Sequence, residues 1–259
     1  MSNIYKETVA ILSCVRDCGP YLERTIANME SIGNLFSDYR IFFYENDSID
    51  NTAKILKTAQ KCNSRIYINN TTHAACSSLW PRTWILAAAR QFLLNSVGVH
   101  DEKPDYIIVM DADDVAVKNP FTGVEFIKEA LLRKQYWDGC FPPLSYDLWA
   151  YRIPTCTVNY WDDIYLQPLI KKRLTNYSIK YDKNDLQVVC SAFNGIGIYK
   201  YNVYCKGRYS GKNIMKINNK NARHLIHIQS VNQDCEHVNF HLSLGRDVRL
   251  RCCKAVSYP

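Results

Sequence analysis

Tyr106-Ile107-Ile108-Val109-Met110-Asp111-Ala112-Asp113-Asp114-Val115 decides how this chain is read. Four apolar residues, Ile107 to Met110, run straight into three carboxylates, with Pro104 just upstream. A short β-rich apolar run bounded in this way predicts a buried strand. In open α/β sheets ligands bind outside the carboxyl ends of the strands, which places Asp111, Asp113 and Asp114 at such a mouth. Carboxylates this close repel one another, and a divalent cation, basic partners or solvent would keep them ionised. Asp-rich loops also serve as turns and helix caps, so both readings stand at this point.

Upstream, Thr8 to Cys14 is a second apolar run that ends in small polar residues, and Asp17, Gly19 and Pro20 punctuate it before a helix carrying Leu22, Ile26 and Met29 at helical spacing. Arg40 to Tyr44 predicts the next strand, followed by the loop Glu45 to Thr52, with Asp50 as N-cap of a helix carrying Ile55, Leu56 and Ala59. Arg65 to Ile68 reads as a shorter strand. Pro81 then opens a helix whose broad apolar face holds Ile85, Leu86, Ala89, Leu93 and Leu94. Four strand-like segments alternating with three helices predict right-handed βαβ units and a largely parallel sheet.

Downstream the pattern loosens. Val124 to Lys134 and Trp161 to Leu174 read as helices, and Asp138 to Arg152 as extended chain and loop. Val188 to Tyr199 holds Gly195 and Gly197 between apolar residues, the mark of a strand or bulged turn with a close approach. His224 to Ile228 alternates as a short strand, and Gln233 to Leu244 gathers the last polar cluster. The expected fold class is α/β, a single domain with a mainly parallel central sheet flanked by helices and a mixed C-terminal half.

With 259 residues, 47% of them hydrophobic, and only 10 Gly and 9 Pro, the chain is globular and has material for one large α/β domain or two small ones. Its net charge of +7 suits anionic partners. Only Lys171 to Arg173 forms a basic run, read as a solvated helix face, so no nucleic-acid partner is expected. Eleven irregularly spaced cysteines without a Cys-x-x-Cys pair argue for reduced thiols and against a disulfide framework or zinc site. Neither a signal peptide nor a membrane span is visible, and a cytoplasmic location is expected.

Arg16 and Asp17 after the first strand, the Glu45 to Thr52 loop, Arg82 with the Leu86 to Arg90 helix, and Asp111-Ala112-Asp113 occur in the order that GT-A fold glycosyltransferases show, and the chain resembles that family. Tyr146 to Ala150, Phe193 to Tyr199 and Cys235-Glu236-His237 look more loosely like the second half of fungal capsule-associated mannosyltransferases. The resemblance implies one domain over residues 1–259, with a nucleotide-sugar half at 1–120 and an acceptor half at 121–259. It implies a UDP- or GDP-sugar donor, a glycan or protein acceptor, and Mn²⁺ or Mg²⁺. Such a cation suits hard oxygen ligands and neutralises a departing diphosphate.

By the same resemblance, Asp113 would hold the metal and Asp111 the donor ribose or the metal. Glu45 and Asn46 would contact the nucleoside, Ser13 and Arg16 would line the base pocket, Arg82 would reach the diphosphate, and Gly195 would let backbone approach donor or acceptor. Asp147 and Trp149 belong to the acceptor cleft, or Trp149 to the core. Glu236 and His237 stand where relatives carry Glu-Asp, with Glu236 binding acceptor and His237 serving as base or metal ligand. Arg90 reads equally as a surface salt bridge, Asp114 as a sugar contact or a cap, and His237 with His241 as buried structural residues. Asp111 to Val115 also fits the loop of haloacid-dehalogenase-like phosphatases, although that family normally carries it on its first strand. A catalytically silent nucleotide-sugar-binding protein is the third reading.

Overall fold

The computed structural model describes residues 4–70, 80–99, 102–119, 122–212 and 233–254. The segment His224 to Ile228 lies outside them. The apolar run at Tyr106–Met110 is strand β4, and the runs before it are β1 (Thr8–Val15), β2 (Asp38–Glu45) and β3 (Ile66–Asn70). Between them lie α1 (Gly19–Gly33), α2 (Thr52–Cys62) and α3 (Arg82–Val99). All three neighbouring pairs in the order β3-β2-β1-β4 are parallel, so their carboxyl ends open on one edge.

Beyond β4 come α4 (Val115–Lys118), α5 (Val124–Leu132), β5 (Gly139–Phe141), α6 (Gln167–Ser178), β6 (Leu186–Val188), β7 (Ile196–Lys200), α7 (Tyr201–Tyr204), α8 (Glu236–Ser243) and β8 (Leu250–Cys253). They extend the sheet to eight strands in the order β3-β2-β1-β4-β7-β5-β8-β6. β7 runs antiparallel to both β4 and β5, and β8 is parallel to β5. The result is the expected α/β domain with a parallel first half and a mixed second half.

Alternation along each strand sends side chains to two cores. Ile11, Ile41 and Ile108 face α1, α2 and α5, whose Leu22, Leu56 and Ile127 are buried with them. Leu12, Phe42 and Val109 face the other layer, where Leu93 of α3, Leu174 of α6 and Phe240 of α8 pack.

Two boundaries differ from the sequence reading. Asn51, not Asp50, is the N-cap of α2; the Asp50 carboxylate instead accepts the N–H groups of Thr52 and Gly19, tying the starts of α2 and α1 together. The helix expected from Trp161 begins at Gln167. Pro168 is tolerated only in a helix's first turn, and Asn159 and Asp163 draw the preceding backbone into turns by accepting the N–H groups of Trp161 and Tyr165. Among the described residues, no helix is long and apolar enough to cross a membrane.

Candidate active site

A cavity of about 690 Å³ opens over the carboxyl ends of β1, β2 and β4. That is ample for a small-molecule ligand. Its wall takes Arg16 and Asp17 from the loop after β1, Asn46 from the loop after β2, and Asp111 and Asp113 from the end of β4. Helix α3 contributes Arg82 and Arg90, and the second half contributes Asp147, Phe193, Glu236 and His237.

The first two loops pin each other. Asp17, with a left-handed φ of 51°, accepts the N–H of Ile49 and donates its own N–H to Ser48 Oγ, while the Cys18 N–H reaches Thr52 Oγ1 at 2.8 Å. This crosslinking holds Arg16 and Asn46 side by side at the cavity mouth.

Three of the expected contact residues stand back from the cavity. Ser13 shares the face of Ile11 and Val15 and is fully buried two residues short of the strand end, so its hydroxyl points into the core beneath α1. Glu45 turns inward to accept the Ser48 N–H at 2.7 Å, and so organises the loop that presents Asn46. Gly195 sits behind the wall: its carbonyl accepts the Asp111 N–H at 2.9 Å, and its φ is +87°. A Cβ there would approach Val115 Cγ1 to 3.0 Å and the Tyr146 hydroxyl to 3.3 Å. Gly195 therefore helps position Asp111.

Arg90 is the residue the sequence reading undervalued. It is buried, not on the surface, and bridges two acids from distant parts of the chain: Nη2 meets Asp111 Oδ1 and Nε meets Glu236 Oε1, both at 3.0 Å. Phe193 lies under the guanidinium at 5.2 Å, and the buried Nη1 has no hydrogen-bond partner. Burial pushes the Asp111 carboxyl up to about 7, against the opposing charge of Arg90 and with the help of Asp113. Asp113 is exposed, and its Oδ1 accepts the Val115 N–H. Asp114 points away, paired with Lys118 one turn along α4.

Asn194, which the sequence reading assigned no role, organises the neighbouring loop. Its Oδ1 accepts the N–H groups of Ser145 and Asp147, and its Nδ2 donates to Pro142 O. This fixes the Tyr146 to Trp149 loop against the end of β7. Asp147 Oδ1 accepts the Ala150 N–H at 3.0 Å, and burial raises its carboxyl above the usual range. Trp149 lines the cavity.

The two histidines of α8 divide. His241 is structural: its nitrogens meet Ser191 Oγ and Tyr199 OH, and burial lowers it to about 3. His237 lies flat on Phe193, ring centroids 3.7 Å apart, with neither nitrogen hydrogen-bonded. Burial, with the charge of Arg90, keeps it neutral.

Among the described residues no three His, Cys, Asp or Glu side chains are gathered closely enough to hold a metal by themselves. The expected trio of Asp111, Asp113 and His237 is therefore not assembled. Asp111 and Asp113 alone fit a hard cation that takes its other ligands from phosphate and water, the usual arrangement for Mg²⁺-type sites.

No family model matches the sequence, and no curated protein matches it. Among solved structures, the mannosyltransferase PcManGT from Pyrobaculum calidifontis, in complex with GDP-Man and Mn²⁺, superposes with a TM-score of 0.53 at 9% identity, covering 98% of this chain and 56% of that one. TarS from S. aureus gives 0.48 at 10% identity, covering 97% of this chain and 59% of that one. The chain thus spans a little over half the length of the structures it matches. At such identity the likeness is one of fold, and the fold is of the GT-A type.

Proposed function

We propose that this chain is a metal-dependent glycosyltransferase that moves a sugar from a nucleoside diphosphate donor to a hydroxyl acceptor, and the roles of its cavity residues proceed from that premise. The observation that carries it is the Asp111 and Asp113 pair at the carboxyl end of β4, facing a cavity with Arg16 and Arg82 on its wall. The Mn²⁺ and GDP-Man of PcManGT support the same reading for a chain of this fold.

Asp113, exposed to the cavity, and the free side of Asp111 would hold Mn²⁺ or Mg²⁺. When bound, such a cation offsets the charge that gathers on a departing diphosphate. Arg82 binds phosphate oxygens, for which a planar guanidinium is suited. Arg16 and Asn46 contact the nucleoside. Arg90 restrains Asp111 and leaves Nη1 to donate to a ligand oxygen.

On the acceptor side, the Glu236 carboxylate is already engaged by Arg90 Nε. Asp147 has no ion pair among the described residues, and a raised carboxyl pKa suits a base that takes the proton of the attacking hydroxyl. His237 is neutral and hydrogen-bonds a sugar hydroxyl through its open nitrogens. The division into a donor half (1–120) and an acceptor half (121–259) follows the same assignment. The phosphatase reading is weaker, because it needs Asp111 as a free nucleophile and Arg90 already holds that carboxylate.

The test is incubation with a panel of UDP- and GDP-sugars and Mn²⁺, reading nucleotide release by chromatography. Release with one donor, abolished by a chelator, supports the proposal. Phosphate release from simple monoesters without nucleotide binding overturns it.

A further inference from the structure

The segment from Val158 to Arg173 carries a surface that the transfer reaction leaves unused. The turns held by Asn159 and Asp163 push its large side chains outward: Trp161 is 53% exposed, Ile164 71%, Tyr165 90% and Leu169 62%. Tyr160 braces Trp161 edge to face at 5.0 Å. In α6 the inward face is fixed by the buried Ile170 and Leu174. Leu169 lies three residues after Leu166, and Lys172 and Arg173 lie three and four after Leu169, so they form a stripe on the outward face, with the exposed Lys171 beside it.

Lys171, Lys172 and Arg173 have no ion pair among the described residues; Arg173 donates only to Thr155 O, at 3.4 Å. The acids of the segment, Asp162 and Asp163, are half-buried, and the Asp163 carboxylate is turned to the Tyr165 backbone. The surface is therefore an aromatic and aliphatic tip next to unneutralised positive charge.

We propose that this segment docks the protein on an anionic lipid bilayer, with Trp161, Ile164, Tyr165 and Leu169 entering at headgroup depth and Lys171, Lys172 and Arg173 meeting lipid phosphates. Basic residues beside exposed Trp, Tyr and aliphatic side chains match the interfacial chemistry of such a surface. A protein partner fits less well on charge, because lysine is depleted from protein interfaces. The proposal stands apart from the transfer reaction and survives if that reading fails.

The experiment is co-sedimentation of the full chain with vesicles of phosphatidylglycerol and phosphatidylcholine, and with vesicles of phosphatidylcholine alone. Binding is expected to the anionic vesicles, falling with added salt. Combined Ile164→Ser, Tyr165→Ser and Leu169→Ser should weaken it by about tenfold or more. Lys171→Gln, Lys172→Gln and Arg173→Gln together should weaken it by about fivefold per charge. All six positions are exposed, so unchanged thermal unfolding midpoints show that the variants fold. Absence of binding to anionic vesicles overturns the proposal, as does equal binding by the wild type and the Ile164, Tyr165 and Leu169 variant, which would reflect general charge alone. Concentration-dependent dimerisation that the same variant abolishes, without vesicle binding, would assign the surface to a second copy of the chain and also overturn it.

Discussion

Arg90 joins Asp111 to Glu236, and neither acid has another cation within hydrogen-bond reach among the described residues. Arg90→Met leaves both carboxylates in the cavity wall without their partner. A loss of about 3 kcal/mol in urea-unfolding free energy is expected, together with loss of nucleotide binding. Arg90→Lys offers a point charge in place of a fork, and should recover part of the stability but not the binding. Asp113 gives the opposite pattern. Because it is exposed, Asp113→Ala should change unfolding free energy by no more than about 0.5 kcal/mol, yet abolish Mn²⁺-dependent nucleotide binding in titration calorimetry. Binding at wild-type affinity would show that the cation site lies elsewhere. The aspartates were legible because a carboxylate cluster after an apolar run is a local pattern. Arg90 was not, since its partners lie far along the chain and only the packing of α3 against β1, β2 and α8 brings them together. Ser13 and Glu45 lie off the cavity lining for a local reason: alternation along a strand decides which side chain faces the cavity, and one position's difference turns it into the core.

Helix α3 is held at its start by a close approach from the second half of the chain. Thr83 Oγ1 donates to Gly211 O at 3.1 Å, and a Cβ on Gly211 would come within 2.3 Å of the Thr83 carbonyl carbon. Gly211→Ala must therefore displace backbone. It should lower unfolding free energy by about 1–3 kcal/mol and, by shifting Arg82, weaken donor binding in the same preparation. A variant with wild-type midpoint in guanidinium would mean that the two segments separate easily. At this scale the first half of the fold was readable: β1, β2 and β4 are long enough to show a run, and α1 and α3 long enough to show a stripe. β5 and β6 have three residues each, too few to carry a period, and their place in the sheet comes from pairing, β5 with β7 and β8 and β6 with β8. The true start of α6 was hidden because Trp161, Ile164 and Tyr165 look like an apolar helical face, whereas they point away from the core.

The far side of the sheet is clamped by Asp138. Its carboxylate accepts a paired contact from Arg249 at 2.9 and 3.1 Å and one from Lys200 at 3.1 Å, joining the start of β5, the end of β7 and the start of β8. Burial pushes this carboxyl up, but the Arg249 and Lys200 contacts outweigh it and hold it well below the usual range. Since folding lowers this pKa, the stabilisation is complete above the unfolded-state value near 4 and is lost as pH falls through the folded value beneath it. Asp138→Asn should cost about 2 kcal/mol at neutral pH and flatten the fall in stability between about pH 4 and pH 2, read from denaturant midpoints across that range. An unchanged acid limb would show that other groups dominate it. The order of the sheet also bears on biosynthesis. β8 is made after both β5 and β6, yet it is inserted between them, and β6 has no other neighbour among the described strands. A ribosome that stalls ahead of Leu250 releases a polypeptide whose β5 and β6 expose bare hydrogen-bonding rims, a template for aggregation that chaperones must shield until translation passes Cys253.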